Sequence, residues 1–257
     1  MNYTDINAAA FDKWVANGWC WGIPITHEVY QSALYGDWDV LLTPTKPVPH
    51  GWFTPFIKED KLSGTKLLGL ASGGGQQMPV FAALGTDCTI LDYSDMQLAS
   101  EKLVSEREGY AINIVKADMT KRLPFDDDCF DIIFHPVSNC YVEDVCHVWN
   151  ECCRVLRKGG VLLAGMDNGI NFLFNDHDAD PLTVSDKVPF NPLKDRELYE
   201  KYVSTDGFQF SHTMEEQVGG QLKVGFTLTD LYEDREPEGN LGKHFPQYIV
   251  TRAVKPA

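Results

Sequence analysis

Residues 66–85 read KLLGLASGGGQQMPVFAALG. Leu67, Leu68 and Leu70 make an apolar strand-like run, and the triplet Gly73-Gly74-Gly75 follows at once. Gln76, Gln77 and an apolar helical pattern come next and end at Gly85. A strand, a glycine turn and a helix start form a nucleotide-binding corner, with the first helix amides directed at the ligand. Glycine there lets the backbone approach where a Cβ would clash. Pro79 is compatible with a helix only in its first turn, where amides lack intrahelical partners. The helix is therefore predicted to start near Gln76.

Three further pieces follow in order. In TILDYSDMQLASEKL a short buried strand, Thr89 to Leu91, ends on Asp92. Asp92 lies 17 residues beyond Gly75, near the roughly 20-residue offset at which nucleotide folds place an acid on ribose hydroxyls. Ser94 and Gln97 have the S-x-x-Q spacing of a capping box, so a helix is predicted to start there. In INIVKADMTKRLPFDDDCFDIIFHPVSN one strand, Asn113 to Lys116, ends near Asp118, and another, Phe130 to Phe134, ends at His135-Pro136. In ECCRVLRKGGVLLAG a helix with basic residues in its last turn is predicted to stop at Gly159-Gly160, before a strand over Val161–Ala164.

These four motifs, in this order over residues 62–166, resemble the class I S-adenosylmethionine (SAM)-dependent methyltransferases, in particular their small-molecule "type 11" branch. The family's first motif is an acid, a spacer and three spaced glycines. Here Gly69 stands at the acid position and Ala71 at the first glycine position, while Gly73 and Gly75 match the second and third. The resemblance implies that Ala71, Gly73, Gly75 and Gln76 surround the donor. It places Asp92, followed by Tyr93, on the ribose hydroxyls. It places Asp118 on the adenine amino group and Met119 against the ring. His135 would end the fourth strand beside the sulfonium. The family fold is α/β, a Rossmann-like seven-stranded sheet, mostly parallel with the last strand antiparallel. The cofactor implied is SAM, with S-adenosylhomocysteine (SAH) as product. LASGGGQQ, FHPVSN and SHTMEEQVGGQLKVGF also resemble a poorly characterised bacterial subgroup, which brings no substrate with it.

Composition narrows the function classes. A chain of 257 residues, 44% hydrophobic and 23% charged, can bury a substantial core in one large domain. The net charge of −15 disfavours a nucleic-acid partner, which needs a basic surface. No apolar run is long enough to span a bilayer, and MNYTDINAAAFDKW lacks the regions of a signal peptide. A cytoplasmic protein acting on a small molecule is expected. Seven cysteines, an odd number without paired zinc spacing, read as reduced core thiols. Cys146, Cys152 and Cys153 fall on one predicted helix, and no metal site is expected.

Residues 1–60 are expected to form a helical and loop cap over the active site, and residues 61–257 the SAM-binding domain. In the cap, one helix over residues 5–17 stops at Gly18, and Thr26 caps a second that ends at Gly36. LLTPTKPVPHGWFTP carries four prolines and cannot be regular helix. It reads as an ordered loop over the core, because it also carries Trp52 and Phe53. Residues 168–205 read as a substrate loop or lid, with a short helix over 195–202. Phe226–Tyr232 and Gln247–Val254 alternate as two final strands, an antiparallel edge pair by the resemblance.

Methyl transfer from a sulfonium is an in-line displacement that needs alignment and water exclusion, and a base only if the acceptor must lose a proton. Two histidines are candidates for catalysis. His135 either contacts donor or substrate or is a backbone-bonded structural residue. His212, in FSHTMEEQ, is either a base or substrate contact or a surface histidine. Asp92 could instead cap the following helix. Five of the six tryptophans lie in the first 52 residues. They either enclose an acceptor or fasten the N-terminal segment to the domain. Trp19 and Trp21, in WCWGIP, are the first candidates for substrate contact, together with the loop after Gly165 and the region of His212. Two other functions share the glycine corner: an NAD(P)-dependent oxidoreductase and a noncatalytic SAM/SAH-binding protein. Against the first, the glycines lack G-x-G-x-x-G spacing and Asp118 has no role in it.

Overall fold

The computed structural model describes residues 2–202 and 207–257, so residues 203–205 of the expected substrate loop lie outside the described residues. The strands are β1 (Lys66–Leu70), β2 (Asp87–Asp92), β3 (Asn113–Lys116), β4 (Phe130–His135), β5 (Leu156–Asp167), β6 (Thr227–Asp234) and β7 (Tyr248–Val254). They form one sheet in the order β3-β2-β1-β4-β5-β7-β6. The first five strands pair in parallel, and β7 inserts antiparallel between β5 and β6. This is the expected seven-stranded, mostly parallel sheet. The order reverses at β1, so ligands belong at the carboxyl ends of β1 and β4.

The β1 and β4 strands are buried along nearly their whole length. They read as continuous apolar runs because helices cover both faces. On one face lie α2 (His27–Leu34), α3 (Gln77–Ala83) and the proline-rich loop, which together bury Trp38, Trp52, Phe53 and Phe81 against Phe134. On the other lie α5 (Val145–Val155) and α7 (Met214–Lys223), which bury Trp149, Val148 and Cys152 against Leu68, Ile133 and Leu162. Burying a side chain of this size contributes about 1.5–3 kcal/mol.

The local signals place most boundaries. Thr26 accepts the Val29 N–H and starts α2. Ser94 accepts the Gln97 N–H and starts α4 (Asp95–Glu108), which Gly109 ends in the left-handed conformation. Pro79 occupies the first turn of α3. Thr213 and Glu216 form a complete capping box at α7. The α5/β5 junction differs from expectation. The helix ends at Val155, and Gly159-Gly160 lies inside β5 rather than stopping the helix. Leu156 already pairs with Phe130, and Val161 pairs with Ile132, so the intervening segment bulges from the sheet. Gly159 carries φ +74° in that bulge, which suits glycine. Backbone bonds to Lys255 hold it there.

The N-terminal helix α1 (Tyr3–Ala16) crosses the carboxyl edge of the sheet and meets the start of α4. Asp12 accepts hydrogen bonds from the Ser94 hydroxyl at 2.6 Å and the Met96 N–H at 3.0 Å. Asn7 exchanges two bonds with the backbone of Phe208 on its other side. The helices α6 (Arg196–Tyr202) and α8 (Asn240–His244) are short. No described helix is long and apolar enough to cross a membrane.

Candidate functional site

A cavity of about 660 Å³ opens along the carboxyl ends of the parallel strands. Its floor comes from the strand ends: Ala71 to Gly73 after β1, Asp92 and Tyr93 at β2, Asp118 and Met119 after β3, Pro136 to Ser138 after β4, and Asp167 at β5. Its roof is α1 with Trp19 and Trp21, and its far wall comes from residues 171–190. The size suits a pocket for one or two small molecules.

The end of the cavity at β1 to β3 is held by backbone-to-carboxylate bonds. Asp92 accepts the Gly73 N–H at 3.1 Å on Oδ2 and the Ser94 N–H at 3.0 Å on Oδ1. Each oxygen keeps a lone pair for a further donor. Burial pushes the Asp92 carboxyl above its ordinary range, and the two amides oppose that shift. Ser94, not Asp92, caps α4, so Asp92 is not consumed by the helix. A Cβ on Gly73 would lie 2.9 Å from Asp92 Oδ2 and 2.7 Å from Gln97 Cβ, so this corner admits only glycine without displacement. Asp118 accepts the Thr120 N–H at 2.9 Å and stands beside Met119 on the same wall. A buried acceptor atom without a partner, Gln97 Oε1, belongs to another lining residue. A cradle of glycine backbone, oriented carboxylates and spare acceptors fits a ligand rich in hydroxyl and amino groups.

The glycine triplet serves a second purpose that the sequence did not suggest. Of the three, only Gly73 borders the cavity. Gly74 sits at φ +107°, and a Cβ there would lie 2.4 Å from Trp21 O. The Gly75 N–H donates to Glu101 Oε1 at 2.8 Å, and its carbonyl accepts the Ile25 N–H at 2.9 Å. Gln76 borders the cavity, and its side-chain amide donates to Cys20 O at 2.8 Å and Ile23 O at 3.0 Å. The segment WCWGIP is thus fastened to the corner itself. Glu101, beneath it, is fully buried, and burial pushes its carboxyl up to about 8.

The two histidines are placed away from the cavity. Alternation along β4 sends Phe134 to one face and His135 to the other, where its ring meets Trp149 edge-on. His135 is fully buried, and its nitrogens lie 2.9 Å from Leu70 O and 2.9 Å from the Asn139 side chain. Burial lowers its pKa, and its hydrogen bonds to Asn139 and Leu70 oppose that shift. It ties β4 to β1 behind the wall that Pro136, Val137 and Ser138 present. His212 Nε2 donates to Asn139 O at 3.1 Å and Val142 O at 2.9 Å, and burial lowers its pKa too. It secures the turn that carries Tyr141, which does line the cavity.

The tryptophans divide. Trp19 and Trp21 border the cavity, and Trp14, Trp19 and Phe11 cluster around Tyr141. Trp38 and Trp52 are core residues, one stacked on His50 and the other against Tyr232.

One cavity residue was missed by sequence reasoning. Asp167, at the end of β5, is only 3% exposed. Oδ1 accepts the Gly169 N–H at 2.9 Å, while Oδ2 is buried without a partner. Burial pushes the carboxyl up to about 6. A strand-end acid after VLLAGM was the available signal, since that position faces the ligand edge in this topology.

Comparison with known proteins agrees with this geometry. A methyltransferase domain model matches residues 68–164. An uncharacterized methyltransferase, YbaJ of Bacillus subtilis (strain 168), is 39% identical over 256 residues, with 97% of each chain covered. A SAM-dependent methyltransferase from Mesorhizobium loti superposes with a TM-score of 0.60 at 17% identity, over 79% of this chain and 95% of that one. Geranyl diphosphate methyltransferase, solved in complex with SAM, gives 0.53 at 14% identity, over 75% and 78%. These last two show the fold alone. The full-length relative shows the family: the chain belongs to the SAM-dependent methyltransferases and is an enzyme of that class.

Proposed function

We propose that this methyltransferase binds SAM across the ends of β1, β2 and β3 and passes its methyl group to a small molecule held in the same cavity. The observation that carries the reading is Asp92, fixed by the Gly73 and Ser94 amides at a cavity wall with room to accept further bonds. Asp92 would receive the ribose hydroxyls, Asp118 the adenine amino group, and Met119 and Tyr93 the ring faces. Bound SAM supplies a methyl on a positively charged sulfur, a good leaving group. The chain's own part is to align the acceptor and exclude water. The α1 roof with Trp19 and Trp21 serves both ends.

A small acceptor is supported by the enclosure: α1, the 171–190 wall and the strand ends leave a pocket rather than an open groove. The charge of −15 opposes a nucleic-acid acceptor. All seven cysteines are free, which suits a reducing compartment such as the cytoplasm.

The test is calorimetric titration with SAH of the wild type and of Asp92→Ala. Losing charge-assisted bonds to the ribose worth roughly 1.5–3 kcal/mol in all predicts a loss of about ten- to a hundredfold in affinity with the melting temperature of the free protein nearly kept. Unchanged SAH affinity in a folded Asp92→Ala protein would sink the assignment of this carboxylate. A thermal response to NADH and none to SAH would sink the donor itself.

A further inference from the structure

From the acceptor half of the cavity we infer that the methyl acceptor is an amine, held through its nitrogen by Asp167 against an aromatic wall. This rests on the proposal that SAM occupies the β1–β3 half.

Three observations converge. First, Asp167 borders the cavity, is 3% exposed, and has one carboxylate oxygen without any partner. A buried carboxylate in that state costs stability unless a donor or cation completes it. Second, the charge of this half is mainly negative. Asp186 and Glu236 line it with Asp167, no lysine or arginine lines the cavity among the described residues, and the lining His177 has its Nε2 on Asn171 O at 2.8 Å. An acceptor bearing a carboxylate or phosphate would meet three carboxylates of like charge. Third, Phe172 and Phe190 stack at 5.3 Å between centroids, and Tyr248 lines the same cavity with its hydroxyl on Glu236. Aromatic faces and carboxylates together attract an organic ammonium.

The position excludes the donor as Asp167's natural partner. In the sheet order, β5 is two strands from β1, or roughly 10 Å at the usual strand spacing. Asp167 therefore faces the acceptor side of the transferring methyl. Its carboxyl, pushed up to about 6, can also hold a proton for a time near neutral pH.

The step balances simply. An amine arriving as its ammonium gives one proton to Asp167 Oδ2 and so frees its lone pair. That pair forms the new N–C bond to the methyl carbon while the S–C bond breaks, and sulfur keeps the electrons of the broken bond. The products are the N-methylated ammonium and the uncharged thioether SAH. The proton on Asp167 returns to solvent.

The experiment uses SAH-loaded full-length protein and two probes of one shape, N,N-dimethylbenzylamine, which is an N–H-bearing ammonium near neutral pH, and its uncharged carbon isostere isobutylbenzene. Calorimetry is expected to show the ammonium binding roughly tenfold more tightly than the isostere. Asp167→Asn, which can still accept the Gly169 N–H, is expected to erase that preference while SAH affinity stays within about threefold. Equal binding of the two probes, binding of neither, or a preference that survives Asp167→Asn would overturn the inference. Failure of SAH itself to bind would instead overturn the donor assignment beneath it.

Discussion

The two ends of the cavity are built in different ways. The proposed donor end comes from consecutive pieces of chain, β1 to β3 with their following turns, and its carboxylates are fixed by short-span bonds such as Gly73 to Asp92 across 19 residues. The acceptor end is gathered from α1, the end of β5, residues 171–190 and Tyr248. Its ties are long: Asn7 bonds Phe208 across 201 positions. A local construction imposes spacing on the sequence. A gathered one imposes only compatibility, so each contributor can change while the pocket remains.

The largest expected effect tests how self-sufficient the donor end is. Glu101 lies buried beneath the glycine corner with its carboxyl pushed up to about 8. The folded chain therefore holds a proton that the unfolded chain releases above its ordinary carboxylate range. Stability should be highest at low pH on this account and fall as pH rises toward 8, by about 1 kcal/mol per pH unit. Glu101→Gln keeps an acceptor for the Gly75 N–H and should flatten this dependence in urea titrations from pH 5 to 8. A parallel slope in the variant would show that the corner does not depend on a protonated Glu101.

A smaller effect probes the seam between the ends. Gly74→Ala places a methyl against Trp21 O at a positive φ, at a cost of about 2 kcal/mol. Limited proteolysis should then cut within residues 17–25 sooner than in wild type. Unaltered protection there would mean that the corner and the roof are joined elsewhere.

The smallest effect concerns the roof alone. Asp12→Ala removes the bonds to Ser94 and Met96 at the start of α4, worth about 1 kcal/mol. Hydrogen exchange in α1 should quicken while the core strands keep their protection. If the core strands loosened equally, the roof would be part of the same cooperative unit as the donor end, and the contrast between them would collapse.

What could be read in advance follows the same division. Strand ends at Asp92 and Asp118 and the cap at Ser94 are local patterns, and local patterns are visible in sequence. Even there, one reading was incomplete. The predicted reciprocal box at Ser94 is half formed, because the Ser94 N–H is taken by Asp92. That leaves the Gln97 side chain at the cavity. His135 looked like a site residue because it ends a strand at the ligand edge. Its face was set by alternation along β4, and the strand's uniform burial gave no pattern from which to read that face. Asp167 was hidden for another reason. Its significance comes from a missing partner, and absence of a hydrogen bond has no sequence signature. The bulge at Gly159-Gly160 imitated a helix stop because glycine serves both purposes.

The crossing of α1 over the sheet edge also sets an order of assembly. The roof leaves the ribosome before the groups it docks on, since Ser94, Tyr141 and Phe208 emerge about 80 to 200 residues later. Until then its apolar face has nothing to lie against. Long-range contacts of this kind form late, because closing a long loop costs entropy before any contact repays it. The lid should therefore gain its last anchor, at Phe208, late in synthesis, and ligand binding should be among the last properties the newborn protein acquires.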